Sequence, residues 1–255
     1  MSKNYELLQN VPLDGQAPTF TTGTNATAET VSVPGTAHAA QVLPIAGPEI
    51  RKEVLKLVQR LFLIPQEKPP KAVVFAGIDA HAGCHWLCPV AAKLLAISVP
   101  GSVCLVEGDF RSPSLMVSAE LDSHSGLVDS LRMDSPIREF TRRLGPDNLW
   151  LLSAGGSAQG STVFLDSECM RERIRELQKE FNYLIVNAPP LGAFADGMVL
   201  GGMADGVVLV LEANSTRREA AVRVAENLRT ANIPVLGAVL TDRTFPIPEV
   251  VYKRL

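Results

Sequence analysis

Three short stretches of this chain carry residues whose types and spacing suggest chemistry. The first, AGIDAHAGCHW at residues 76–86, is a glycine-bearing loop at a strand-to-helix junction. There, and just beyond it, stand His81, Cys84, His85 and Cys88. His81/His85 and Cys84/Cys88 are each spaced i, i+4, which places partners on one face of a helix. His81 falls before the expected helix start, however, and the spacing matches neither a zinc finger nor a haem attachment site. Cysteines also fill small apolar gaps beside a sheet. No metal is expected from this set. The second stretch, Glu107-x-Asp109-x-Arg111-x-Pro113-x-Leu115, gathers two acids at a strand end with an arginine to offset them. The third, NAPPLGAFADG at residues 187–197, ends another strand on Asn187, Pro189 and Pro190.

The elements around these stretches alternate. The segment PEIRKEVLKLVQRLFLI places Ile50, Val54, Leu57, Val58 and Leu61 on one helical face, and Pro65 ends it. KAVVFAG, SVCLVEGD, NLWLLSAG, NYLIVNAPP, ADGVVLVLEA and PVLGAVLTD read as buried strands. Between them lie a helix from about Cys84 to Ile97, short helices at GLVDSLR and IREFTRRL, a helix at DSECMRERIRELQKEF, and a capped helix at STRREAAVRVAENLRTA. Near-continuous Val/Leu/Ile strands separated by helices predict a doubly wound, mostly parallel α/β sheet with helices on both faces. In such sheets ligands bind beyond the carboxyl ends of the strands, which is where all three stretches fall.

Residues 1–46 are rich in Thr, Ala, Gly and Pro and read as a flexible tail, with YELLQNV a stray apolar cluster. Residues 47–242 form the folded domain and 243–255 a second tail. A net charge of −3 argues against a nucleic-acid platform, and Arg171, Arg173 and Arg175 alternate with acids as on a solvated helix face. No apolar run reaches the roughly 20 residues of a membrane helix, and the polar start MSKNYELLQN is unlike a signal peptide. The four cysteines show no disulfide framework, consistent with a reducing cytoplasm.

In order and spacing, the three stretches resemble the cytoplasmic ATPase domain of bacterial tyrosine kinases, the capsule and exopolysaccharide co-polymerase family. That family lies in the MinD/ParA-like branch of P-loop proteins. Its pattern is a P-loop, an acidic strand end of the form D-x-D-x-R-x-P-x-L, then a strand ending D-T-P-P, and the resemblance covers about residues 47–242. It implies binding of Mg·ATP, magnesium-binding acids at Glu107 and Asp109, and a helix at Glu53, Lys56 and Gln59 that packs subunits into a ring. Of that helix's E-x-x-R-x-x-R pattern only the glutamate is kept.

The P-loop departs most from the pattern A-x-P-G-E-G-K-S/T. Aligned on Gly83, His81 stands at the earlier glycine, Cys84 at the lysine and His85 at the hydroxyl. The lysine neutralises phosphate oxygens and the hydroxyl holds Mg²⁺; neither replacement does this, and His81 would need a conformation that glycine visits freely. Asn187 replaces the family aspartate, and Thr241 replaces an asparagine beside the nucleotide base.

These departures lead to an expectation of a kinase-like domain without catalysis, a regulator or scaffold in capsule or exopolysaccharide synthesis and export. Its expected partners are a membrane polysaccharide co-polymerase or export protein and an active kinase subunit, with a cytoplasmic location at the inner membrane through a partner. One alternative is an active, autophosphorylating tyrosine kinase using ATP and Mg²⁺. Another is a MinD/ParA-type positioning ATPase, disfavoured by the R-x-P-x-L signature. Tyr252, in the tail RTFPIPEVVYKRL, is the candidate phosphoacceptor. Asp196 and Asp205 are assigned to loop structure and helix capping.

Overall fold

The computed structural model describes residues 19–21, 47–65, 67–115, 125–145, 148–155 and 168–242. The strands are β1 (Thr19–Thr21), β2 (Ala72–Gly77), β3 (Val103–Glu107), β4 (Arg142–Arg143), β5 (Leu149–Leu152), β6 (Tyr183–Ala188), β7 (Gly206–Glu212) and β8 (Val235–Thr241). The helices are α1 (Pro48–Val58), α2 (Cys84–Ser98), α3 (Leu127–Ser130), α4 (Glu168–Glu180), α5 (Asp196–Met203) and α6 (Arg218–Thr230). One sheet runs β1-β8-β7-β2-β6-β3-β5-β4. Every neighbouring pair is parallel except β4–β5. The central strands β2, β3 and β6 are buried along nearly their whole length, as expected of parallel strands covered on both faces.

Two apolar layers flank the sheet. On one face α1 and α2 pack through Val54, Leu57, Leu87 and Leu95. On the other, α4, α5 and α6 contribute Met170, Ile174, Leu200, Val224 and Leu228. The five apolar positions assigned to one face of the first helix are all buried. That helix loosens after Val58 into a π-helical turn, Gln59–Leu63, before Pro65.

Four local expectations are corrected. Three residues within the segment read as a tail form β1, paired parallel to β8; the rest of 1–46, including YELLQNV, lies outside the described residues. The stretch read as a helix at IREFTRRL is a 3₁₀ turn, Ile137–Phe140, followed by the short edge strand β4. α6 starts at Arg218, with Arg217 at its N-cap and no side-chain cap; the Thr216 hydroxyl is bonded to Asp79. Finally, Arg173 is no solvated side chain. It is 12% exposed and donates to the carbonyls of Ser130, Met133 and Ser135 while pairing with Glu176, so it ties the α3 loop to α4.

Candidate functional site

The three stretches converge at the carboxyl ends of β2, β3 and β6, as their places in the sheet require. Between β2 and α2 the loop reverses through Gly83, whose φ of +85° favours glycine; a Cβ there would lie 2.5 Å from the Trp86 indole nitrogen. His81 has no positive φ, so the strain expected at that position is absent, and its side chain is exposed. The loop is bonded to its surroundings on every side. Leu191 and Gly192 donate backbone N–H bonds to the Gly77 and Ile78 carbonyls at 2.8 and 3.0 Å. The buried Thr241 hydroxyl lies 2.9 Å from the Ala82 carbonyl and 3.1 Å from that of Leu211. The Thr216 hydroxyl donates to Asp79 Oδ2 at 3.0 Å.

α2 then carries Cys84, His85 and Cys88. Burial pushes the Cys84 thiol up to about 12, so it stays a neutral thiol at neutral pH. Burial likewise raises the Cys88 thiol, and desolvation lowers the His85 imidazole while Asp242 opposes it. Cys88 faces the strand ends, with its Sγ 3.8 Å from Asn187 Oδ1.

Asn187 and Glu107 form the centre of a closed network. Asn187 Nδ2 donates to Glu107 Oε1 at 2.7 Å and approaches Ser114 Oγ at 3.3 Å. Glu107 Oε1 also accepts from the Asp109 N–H at 3.1 Å, and Oε2 accepts from the Ser114 and Leu115 N–H groups, both at 2.7 Å. A carboxylate offers about four acceptor sites, and here four donors fill them. Glu107 is 1% exposed and Asn187 3%. Burial raises the Glu107 carboxyl to about 7, against the opposing pull of the Leu115, Asn187, Ser114 and Asp109 donors. Asp109 turns back on its own loop, with Oδ1 accepting from the Arg111 and Ser112 N–H groups, each at 3.0 Å.

The remaining assigned residues lie around this centre. Arg111 pairs with Asp196 at 2.9 Å and stacks 4.3 Å from the Phe194 ring centroid, which joins the second and third stretches. Asp196 is therefore an ion-pair partner in the first turn of α5. Asp205 Oδ2 accepts from the Lys71 and Ala72 N–H groups at 2.7 and 2.8 Å and so fastens the start of β2; that is loop structure and not a helix cap. Glu53, Lys56 and Gln59 lie apart from the site, on α1 and its π-helical turn. Glu53 is 5% exposed within its own chain, and Oε1 pairs with Lys56 at 2.6 Å. Its Oε2 is buried without a hydrogen-bond partner, while Gln59 is exposed. Tyr252 lies outside the described residues. Ser114, a donor to Glu107 and a neighbour of Asn187, was not singled out in the sequence; its place one residue before Leu115 was the available signal.

Magnesium-bound nucleotide, which the resemblance implies, does not fit these groups. Where the resemblance would place a lysine and a hydroxyl stand Cys84, an uncharged thiol, and His85, an imidazole and so a poor ligand for a hard octahedral cation. The acceptors of Glu107 are already taken, and the position between Glu107 and Cys88 carries an amide with no charge. Among the described residues no three His, Cys, Asp or Glu side chains are grouped to hold a metal.

The fold and the position of the loop define a P-loop NTPase-like α/β protein. Among solved structures the chain resembles the chimerical protein CapA2B2, with TM-score 0.69 and 18% identity, covering 78% of this chain and 87% of that one. It also resembles the kinase domain of Escherichia coli tyrosine kinase ETK, with TM-score 0.67 and 19% identity over 78% of this chain and 79% of that one. No protein-family model matches the chain. In sequence it is 29% identical over 141 residues to tyrosine-protein kinase YwqD of Bacillus subtilis, covering 55% of this chain and 60% of that protein. It is 23% identical over 137 residues to tyrosine-protein kinase CpsD of Streptococcus pneumoniae, covering 53% and 60%. The matched stretch thus spans 60% of the length of these relatives. Its sequence relatives are thus bacterial tyrosine kinases such as YwqD, CapB and CpsD, and its fold is the one seen in solved tyrosine-kinase domains.

Proposed function

We propose that this chain is a kinase-like domain that does not transfer phosphate, and that it acts as a regulator or scaffold in capsule or exopolysaccharide synthesis and export. The observation that carries this reading is the bond from Asn187 to Glu107 inside a network closed on all sides. An aspartate at 187 would face Glu107 as a second buried carboxylate and would need a cation between them. The amide lets Glu107 serve the fold instead, by anchoring the loop to Leu115. With an uncharged thiol at Cys84, the two usual sources of charge at a phosphoryl-transfer centre are both lacking.

The partners that fit are those of a kinase assembly: a membrane co-polymerase or export protein and an active kinase subunit. Among the described residues no helix is long and apolar enough to cross a membrane. Tyr252 remains the candidate acceptor for that active subunit, with Lys253 and Arg254 beside it to pair a phosphate.

Calorimetry of the purified chain with Mg·ATP at tens of micromolar tests the reading. No saturable heat is expected. A dissociation constant in the low micromolar range, with ADP appearing on incubation, would overturn it.

A further inference from the structure

Between Phe110 and Leu115 the chain crosses the carboxyl end of the sheet. Phe110 is 3% exposed and sits in the apolar layer that contains Val186 and Leu200, whereas Leu115 is 1% exposed and sits in the opposite layer, with Leu87 and Cys88. The residues between them must therefore pass over the ends of β3 and β6, where Glu107 and Asn187 are paired. Ser114 Oγ, 3.3 Å from Asn187 Nδ2, marks that passage. Arg111, Ser112 and Ser114 are exposed and Pro113 is half-buried. The stretch is a strap, with solvent on one side and the Glu107 network on the other.

Its two fastenings differ in kind. At the far end the buried Glu107 carboxyl takes the Ser114 and Leu115 N–H groups. At the near end Arg111 is tied at the surface. Its Nε lies 2.9 Å from Asp196 Oδ2, the two side chains are 35% and 17% exposed, and the guanidinium rests 4.3 Å from the Phe194 ring centroid. The turn that carries Phe194 and Asp196 is a fixed post, because Leu191 and Gly192 donate to the Gly77 and Ile78 carbonyls. Among the described residues no other ion pair, hydrogen bond or ring contact joins residues 111–114 to that turn. An exposed ion pair is weak and is screened by salt, while a bond shielded from water is screened far less. Of the two fastenings, the outer one gives way first.

We propose that residues 111–115 form a gate over the buried Glu107–Asn187 pair, hinged at Phe110, and that the contact of Arg111 with Asp196 and Phe194 is its latch. While the latch holds, Ser114 and Leu115 stay on Glu107 and the centre is covered. Once it lets go, the strap keeps only the Glu107 bonds and the Leu115 side chain. Their transient loss opens a path to Asn187 and to Cys88, whose Sγ lies 3.8 Å from Asn187 Oδ1. The network around Glu107 is thus sealed by a charge contact at the surface. This inference is independent of whether the glycine loop binds nucleotide.

The chain's own free cysteines report on the gate. Cys169 is exposed, while Cys88 and Cys104 are buried. The full-length chain is labelled with N-ethylmaleimide and the modified peptides are followed by mass spectrometry. Cys169 should react at once, and Cys104, inside β3, only when the whole domain unfolds. Cys88 should react between these limits, through the gate. Arg111→Ala removes an exposed ion pair and an exposed cation–π contact, and should speed Cys88 about tenfold while leaving Cys104 unchanged. Asp196→Asn keeps the stack and should speed Cys88 about threefold. Wild-type Cys88 should also react faster in about 0.5 M sodium chloride than at low salt, and the Arg111→Ala chain should not. A Cys88 rate that is unchanged in Arg111→Ala, or that rises only in step with Cys104, overturns the proposal, and so does a wild-type rate indifferent to salt. Where Arg111→Ala does not fold, Asp196→Asn is read by the same comparison of Cys88 with Cys104.

Discussion

Asn187 Nδ2 lies 2.7 Å from Glu107 Oε1, and both side chains are buried at adjacent strand ends, where β3 and β6 pair Glu107 directly with Asn187. The contact is favourable because one partner is neutral. Asn187→Asp replaces a charge-assisted hydrogen bond, worth about 1.5–3 kcal/mol, with two carboxyl groups at contact distance. The variant should melt several degrees lower at pH 8, and part of the loss should return at pH 5.5, where one proton can be shared. Calorimetric melts at the two pH values check this, and equal destabilisation at both would show that repulsion is not its cause.

The wild-type chain should itself depend on pH through Glu107. Its folded carboxyl sits at about 7 against an ordinary value of 4.5, so the folded state holds its proton longer than the unfolded chain does. The stabilisation is complete below about 4.5, declines as pH rises through 7, and is lost above. At about 1.4 kcal/mol per pH unit this gives a change on the order of 3 kcal/mol between pH 4.5 and 8. Denaturant titrations of wild type and Glu107→Gln across this range measure it. The glutamine variant should be less stable, since its amide faces the Ser114 and Leu115 N–H groups, and its curve should be flatter by that amount.

Thr241→Val should loosen the glycine loop without disturbing β8. The substitution keeps the shape and removes the hydroxyl that lies between the Ala82 and Leu211 carbonyls. A loss of about 1–2 kcal/mol is expected. Amides of residues 79–86 should exchange faster, while those of Val235–Leu240 stay protected. Unchanged exchange in the loop would mean that the hydroxyl is not a fastening.

Repair of the departures together provides a fourth test. His81→Gly, Cys84→Lys, His85→Ser and Asn187→Asp in one chain restore the charges and hydroxyl of a working loop. The variant should be less stable than wild type alone and should gain several degrees in melting temperature with saturating Mg·ADP, while the parent gains none. A folded variant that shows no such gain would place the obstacle elsewhere in the site.

Much of the fold was legible in the sequence, because buried parallel strands such as AVVFAG and YLIVNA are nearly continuous apolar runs. α2 and α4 were placed within a residue or two by the same contrast of periods. β1 was not legible. Three residues of a threonine-rich stretch carry no periodicity, and what fixes them is the edge they meet. β4 was taken as helix because its two arginines follow a real 3₁₀ turn. In the site, the identities at 81, 84, 85, 107 and 187 could be read against a pattern. The contact of Asn187 with Glu107 could not, since it joins residues far apart in the chain and depends on which strands lie side by side. The ordinary backbone at His81 was equally hidden, because only the built loop shows that Gly83 alone turns left-handed there.

The four hydrogen bonds that hold Glu107 come entirely from within the chain. A corner fastened in this way takes its form from the chain's own residues as the sheet assembles. A partner resting on this corner would meet a surface whose spacing is set by the pairing of β3 with β6.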